Sequence, residues 1–274
     1  MSNNHQRLQL TDSQVTAFLH LIDVSLTGEK LSDLQQITSK FMETVPFQNL
    51  TMLIGPRRRP TWDEICDDLI SGIGGLCTAR NPFLKALLDN LGYDVYFVSS
   101  SMVEPDCHIC LIVDINAEKY WVDVGNGYPY TRPYKLGSNT VCLHRFMNYR
   151  LRLFDGKWLV EHEFDNSGEW KQNQSFIDQE VPYSFFDHMH ELHYTKTNYG
   201  PFLSGLRANR WWDEGGIILR DDNVNDLISN HKINNIFEFK QWIEKIFPRS
   251  PINRTQITES AWKTYRSLQM EART

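Results

Sequence analysis

No stretch of this sequence approaches the roughly 20 consecutive apolar residues that a membrane helix requires, so no membrane association is expected. The first seven residues, Met1-Ser2-Asn3-Asn4-His5-Gln6-Arg7, lack the apolar core of a secretory signal, and a cytoplasmic protein is expected. Positive charge is in deficit: 28 Lys and Arg stand against 34 Asp and Glu, a net charge of −6. That balance argues against binding nucleic acid through bulk basicity. Arg57-Arg58-Arg59-Pro60 is too short to change this and reads as a solvated loop. Cysteine is sparse and odd in number, five in 274 residues, which suits reduced thiols better than a disulfide framework. Neither the phosphate-cradling G-x-x-x-x-G-K-[ST] nor the nucleophile elbow G-x-S-x-G occurs. There is no internal repeat and no low-complexity segment.

What is present is a folding composition. Hydrophobic residues make up 41% and charged residues 23%, which excludes disorder as the main state. The order of patterns along the chain is helices, then strands, then a mixed tail. Thr11 caps a helix carrying Val15, Phe18, Leu19 and Ile22, and Gly28 ends that segment. A second stripe, Leu31, Leu34, Ile37, Phe41 and Val45, stops at Pro46, and 45–50 reads as a turn. Thr61 or Asp63 caps a third helix with Ile65, Leu69 and Ile70. After Gly72-Ile73-Gly74-Gly75, a fourth helix opens, with Pro82 in its first turn and Gly92 as its stop. Period-two patterns then predict strands over 94–100, 107–115, 119–124, 141–146, 149–154 and 157–163. The second and third are joined by Asn116-Ala117-Glu118, and Asp155-Gly156 marks another hairpin. Residues 211–219 look extended. Helices are expected over 236–247 and 259–268, with Pro248 and Pro251 between them.

Cys77 follows two glycines at a predicted helix start. Unpaired backbone N–H groups and the positive end of the macrodipole there favour a thiolate. The position fits a nucleophile if a base is near, and a buried structural cysteine if none is. His108 lies on one predicted strand and Asp123 on its hairpin partner. With a three-residue loop, Leu111 faces Asp123, and His108 falls on the opposite face, so contact needs a bulge or bend. A structural histidine is the plain alternative. Asp123, between Val122 and Val124, needs a buried partner. Cys107-His108-Ile109-Cys110 contains a C-x-x-C, but residues three apart on a strand point to opposite faces. No second pair completes a tetrahedral site, and no metal is expected. His188, His190 and His193 form a further histidine-rich stretch, which reads as a polar loop.

Four of these pieces, in order and spacing, resemble the arylamine N-acetyltransferase family. Val45-Pro46-Phe47-Gln48-Asn49-Leu50 is similar to its P-F-E-N-L element. Gly74-Gly75-Leu76-Cys77 with Asn81 is similar to its R-G-G-x-C-x-E-x-N nucleophile motif. His108 stands at the place of its catalytic histidine, and Asp123-Val124-Gly125-Asn126-Gly127 at that of its D-V-G-F-G. The resemblance implies an α+β multidomain fold: a helical bundle over 1–92, a β-barrel over 93–200 and an α/β lid over 201–274, around a cysteine-proteinase-like triad of Cys77, His108 and Asp123. It also implies contacts with substrate from Phe47, Gly75, Leu76, Asn126, Gly127 and, by alignment of residues 194–202 with a lid motif, Thr197. The implied activity is ping-pong transfer of an acetyl group from acetyl-CoA, a co-substrate and not a bound cofactor, to a small amine, hydrazine or hydroxylamine.

The sequence departs from the family at Gln48, Ile73 and Ala79, where the motifs carry Glu, Arg and Glu. Removing all three charges together strands none of them. Asn126 replaces an aromatic residue, which favours a more polar, less flat acceptor. The rival readings are an amide synthase of the same fold acting on carrier-bound acyl chains, a hydrolytic cysteine enzyme of the transglutaminase or papain kind, and a non-catalytic homologue that binds a ligand or partner.

Overall fold

The structure, a computed structural model, describes residues 8–250, 252 and 256–271. The opening stretch 1–7 and Pro251 lie outside the described residues. No helix among the described residues is long and apolar enough to cross a membrane.

The N-terminal part is helical: α1 (Asp12–Leu21), α2 (Lys30–Thr44), α3 (Leu50–Ile54), α4 (Trp62–Ile70) and α5 (Cys77–Asn90). Two of these helices start where their side chains dictate. Thr11 Oγ1 accepts from Gln14 N at 3.2 Å while Thr11 N donates to Gln14 Oε1 at 2.9 Å. Thr61 and Glu64 repeat the reciprocal cap on α4, at 3.2 and 2.7 Å. Phe18, Leu34, Ile37, Phe41, Phe83 and Leu87 close the helices over one apolar core. Residues 45–50 are not only a turn: they hold β1 (Phe47–Gln48), and α3 follows at once. Pro82 lies inside α5, beyond its first turn. Thr78, whose carbonyl sits one turn before the missing N–H, is held through its hydroxyl by Tyr194 Oη at 2.9 Å.

Two antiparallel sheets follow. The larger has seven strands: β2 (Asp94–Ser101), β3 (His108–Ile115), β4 (Glu118–Val122), β5 (Tyr134–Lys135), β6 (Asn148–Phe154), β7 (Lys157–Glu163) and β8 (Lys171–Phe176). Their spatial order is β5-β4-β3-β2-β8-β7-β6. They form a barrel-like layer over Val98, Ile112, Trp121, Tyr130, Tyr149 and Phe176. The predicted strand over 141–146 is reduced to a single bridge, Cys142 to Tyr149. The histidine-rich stretch is not a loop but α6 (Asp187–Thr195), which buries His190 and His193 and leaves His188 outside.

The C-terminal α/β part contains β9 (Arg207–Trp212), β10 (Gly215–Arg220), β11 (Asn223–Asn225), β12 (Asn230–Lys232), α7 (Ile236–Ile246) and α8 (Ile257–Glu271). The extended run expected over 211–219 is a hairpin, with Gly215 facing Trp212 across Asp213-Glu214. Strand β1, from the helical part, is the edge strand of this sheet. Phe47 pairs with Asn209 and Gln48 with Ala208.

The register of β3 against β4 departs from expectation by one residue. The loop is Asn116-Ala117, both in the left-handed region at φ 56° and 63°, as a two-residue type I′ turn requires. Ile115 therefore faces Glu118, and Leu111 faces Val122. A one-residue change of register moves every side chain to the other face. Carried past Val122, it sets Asp123 opposite Cys110, so His108, two residues along, shares its face without any bulge.

Candidate functional site

The site forms where α5 begins under the 123–127 loop. A side chain at Gly125 would place its Cβ 2.6 Å from both Cys77 Cα and Asn81 Nδ2. His108 Nε2 lies 2.7 Å from Asp123 Oδ2, and both side chains are buried. A carboxylate only accepts, so Nε2 carries a proton, and Nδ1 is the ring nitrogen left to exchange one with Cys77. Cys77 is the ring's other polar neighbour. Burial pulls the imidazole down, but the carboxylate and the Cys77 sulfur outweigh it and hold His108 well above its ordinary value. Burial likewise pushes Asp123 up, while His108, Asn81 and the Gly125 N–H hold it below the usual carboxylate range.

Asp123 is held by more than histidine. Asn81 Nδ2 donates to Asp123 Oδ1 at 2.9 Å and to the Ile109 carbonyl at 2.6 Å, while its Oδ1 accepts from Val124 N at 3.0 Å. Gly125 N donates to Oδ1 at 2.9 Å, and Gln174 Nε2 to Oδ2 at 3.2 Å. Gln174 comes from β8, whose polar sequence gives no strand signal. Arg80, the residue before Asn81, is fully buried. Its guanidinium donates to the carbonyls of Val124 and Val45 and lies 5.0 Å over the Phe41 ring. Burial lowers it to about 9, and the Asp123 charge opposes that shift. Arg80 thus ties the segment before Phe47 to the one after Asp123. No sequence pattern marks Arg80 or Gln174 as buried.

Cys77 and His108 line a cavity of about 540 Å³. Phe47, Asn126 and Gly127 line it too. Gly75 and Leu76 lie instead along a second cleft of about 460 Å³, with Gln48, Asp68 and Ala79. Thr197 is exposed, and its neighbour Asn198 reaches the cavity wall. At the first of the three motif departures, Gln48 Nε2 donates to Thr51 Oγ1 at 3.0 Å and to the Gly74 carbonyl at 3.4 Å. Ile73 and Ala79 pack into apolar clusters.

Cys110 brings its sulfur within 4.8 Å of the His108 and Asp123 ligand atoms, a trio of metal-ligand types. It is wholly buried, however, and its thiol donates to Gln174 Oε1 at 4.0 Å. Burial pushes its thiol well up, as it pushes Cys142 up and Cys66 to about 12. Cys77 instead lines the cavity, as His108 does. At neutral pH iodoacetamide is therefore expected to alkylate Cys77 while Cys66, Cys110 and Cys142 stay unmodified. Peptide mapping of the alkylated protein reads this directly, and equal labelling of these cysteines contradicts it.

The seven-stranded layer, the helical part before it and the His108–Asp123 pair beside Cys77 define an α+β scaffold with a cysteine–histidine–aspartate site. A family profile described as N-acetyltransferase matches residues 30–247, and the chain belongs to that family. Among curated relatives, the arylamine N-acetyltransferase of Escherichia coli (strain K12) is 28% identical over 143 residues, covering 48% of this chain and 50% of the relative. The arylamine N-acetyltransferase / N-hydroxyarylamine O-acetyltransferase of Salmonella typhimurium (strain LT2) is 25% identical over 142 residues, with the same coverage. The chain thus spans about half the length of these curated relatives. The fold extends further. Mycobacterium marinum arylamine N-acetyltransferase in complex with CoA superposes with a TM-score of 0.80 at 21% identity, over 93% of this chain and 99% of that one. The Salmonella typhimurium structure gives 0.81 at 17% identity, over 94% and 100%.

Proposed function

We propose that this protein moves an acetyl group from acetyl-CoA, through a thioester on Cys77, to the nitrogen (or oxygen) of an arylamine, hydrazine or N-hydroxyarylamine. The observation that carries this reading is the placement of Cys77 and His108 on one wall of the cavity, with the buried Asp123 carboxylate 2.7 Å from the far side of the His108 ring. His108 Nδ1 takes the thiol proton, and the sulfur attacks the acetyl carbonyl. The carbon–sulfur bond to CoA breaks, and the proton passes from His108 to the departing thiolate. In the second half, the acceptor nitrogen attacks the Cys77 thioester, its proton goes to Nδ1, and Cys77 leaves and recovers a proton. Asp123 holds the Nε2–H tautomer and stabilises the imidazolium. The first N–H groups of α5 are the oxyanion donors. The matched enzymes support this by name, and one of them by its complex with CoA.

The same reading takes Phe47, Asn126 and Gly127, and with them Gly75, Leu76 and Thr197, as contacts with substrate. It divides the chain into 1–92, 93–200 and 201–274, and it makes the protein cytoplasmic, in keeping with five free cysteines. Intact mass spectrometry after mixing with acetyl-CoA tests it. One acetyl group is expected, mapped to Cys77 and absent from Cys77→Ala, with one CoA released per chain. An unmodified wild-type protein rules the reading out.

A further inference from the structure

The β9–β10 hairpin forms part of the cavity wall, and from β9 Asn209 Nδ2 and Trp211 Nε1 each donate to the Gly127 carbonyl at 2.9 Å. Side chains alternate along a strand, and Arg207, Asn209 and Trp211 face the cavity from β9, with Ile218 and Arg220 from β10. Arg207 and Arg220 are directly opposed partners in the register. Like charges set opposite each other on one sheet face repel, and nothing in the packing of the hairpin calls for two cations there. The local acid is already engaged. Asp221 Oδ1 lies 3.1 Å from Arg207 Nη1 and also accepts from Leu206 N at 3.1 Å. Arg207 is further fixed by its backbone N, which donates to Asn49 Oδ1 at 2.7 Å, and by Nη1, which donates to the Leu206 carbonyl at 2.7 Å. Arg220 is exposed and has no acidic partner among the described residues. The remaining charged residue of the lining, Glu104, is exposed on the loop between β2 and β3 and makes no ion pair with either arginine.

We infer that Arg207 and Arg220 form an anion-binding site in the wall of the reaction cavity, with the pre-oriented Arg207 and the free Arg220 closing on one carboxylate or phosphate group. Planar guanidinium groups match both anions bidentately. Two sources supply such a group in the proposed reaction, a carboxylate on the amine acceptor or a phosphate of the CoA donor. The place of the pair favours the acceptor. Arg207 is two residues from Asn209, about 7 Å along the strand, and Asn209 pairs with Phe47, which lines the same cavity as Cys77. The phosphates of CoA are separated from its sulfur by the long pantetheine arm, whereas a carboxylate across an aromatic ring from an amine spans a short distance. The inference rests on the proposed function for the nature of these ligands.

Equilibrium binding tests it without turnover, so a protein that failed to take acetyl from acetyl-CoA would defeat the proposed function and leave this test standing. The probes are 4-aminobenzoate, its neutral analogue 4-aminobenzamide, and adenosine 3′,5′-bisphosphate, titrated calorimetrically into the wild type, Arg220→Gln and Arg220→Lys. If the anion is the acceptor's, the wild type binds the carboxylate about tenfold tighter than the amide. Arg220→Gln then abolishes that preference and Arg220→Lys restores part of it. If the anion is the donor's, the bisphosphate loses about tenfold on Arg220→Gln and the two aminobenzoyl probes bind alike. Affinities for all three probes that are unchanged in Arg220→Gln overturn the anion site.

Discussion

Replacing Asp123 with Asn is expected to reduce turnover by about three to four orders of magnitude, by analogy with the same change in serine triads. The cause is the proton on His108. Asp123 Oδ1 accepts from Asn81 Nδ2 and Gly125 N, and Oδ2 accepts from His108 Nε2. An asparagine keeps its oxygen toward Asn81 and the Gly125 N–H, both at 2.9 Å, rather than toward His108 and the longer 3.2 Å contact from Gln174. Its NH₂ then faces Nε2, which must become the lone pair. The ring proton moves to Nδ1 and points at Cys77, where the base should be. Acetylation of Cys77 by acetyl-CoA, followed by quenched mass spectrometry, should slow by the same factor as steady-state turnover. Urea unfolding separates this from loss of the fold. A folded Asp123→Asn protein that keeps most of its acetylation rate would remove Asp123 from the chemistry.

The second large effect belongs to a residue without a side chain. Gly125→Ala introduces a methyl group at 2.6 Å from Cys77 Cα and from Asn81 Nδ2. Neither can give way cheaply, since the first is helix backbone and the second holds Asp123 and the Ile109 carbonyl. The loop must lift from α5 by a substantial fraction of an ångström. Overpacking of this kind costs about 1–3 kcal/mol of stability, and displacement of reacting groups by about 1 Å costs on the order of a hundredfold in rate. A chemical melt and a rate measurement on the same sample should show both losses. A variant of wild-type stability and activity would mean that the loop and α5 are less tightly apposed than described.

Much of the architecture is legible in the residues, and the parts that are not share a cause. The caps of α1 and α4 are legible because Thr11 with Gln14 and Thr61 with Glu64 are local devices that act over three residues. The strand register is not, because the turn places Ala117 at positive φ, where no propensity would put an alanine. That single residue hides the fact that His108 and Asp123 share a face. Strand β8 is hidden by its polar sequence, though Gln174 from it completes the bonding of Asp123. The β9–β10 hairpin is hidden in an apolar run whose turn is the unremarked Asp213-Glu214. Helix α6 hides because its buried face is made partly of histidine. At the site itself, the chemistry-bearing Cys77, His108 and Asp123 are visible in the sequence. Of the residues that orient them, Asn81 is visible in the same motif, while Arg80 and Gln174 are not, because the burial of a polar side chain is decided by distant segments.

The pairing of β1 with β9 bears on how the chain is made. Phe47 meets Asn209, and Asn49 holds the carbonyls of Phe202 and Gly205 and the N–H of Arg207, 158 residues on. During synthesis, the nucleophile's helix emerges long before the hairpin that walls its cavity. Until about the first 210 residues are free, the edge at Phe47 has no partner, and the surface it will cover faces water. Contacts so distant in sequence form late and slowly, and an unpaired strand edge beside apolar surface is a site of misassociation. The nascent chain is therefore most in need of protection while it already carries Cys77, His108 and Asp123 and lacks only the last wall around them.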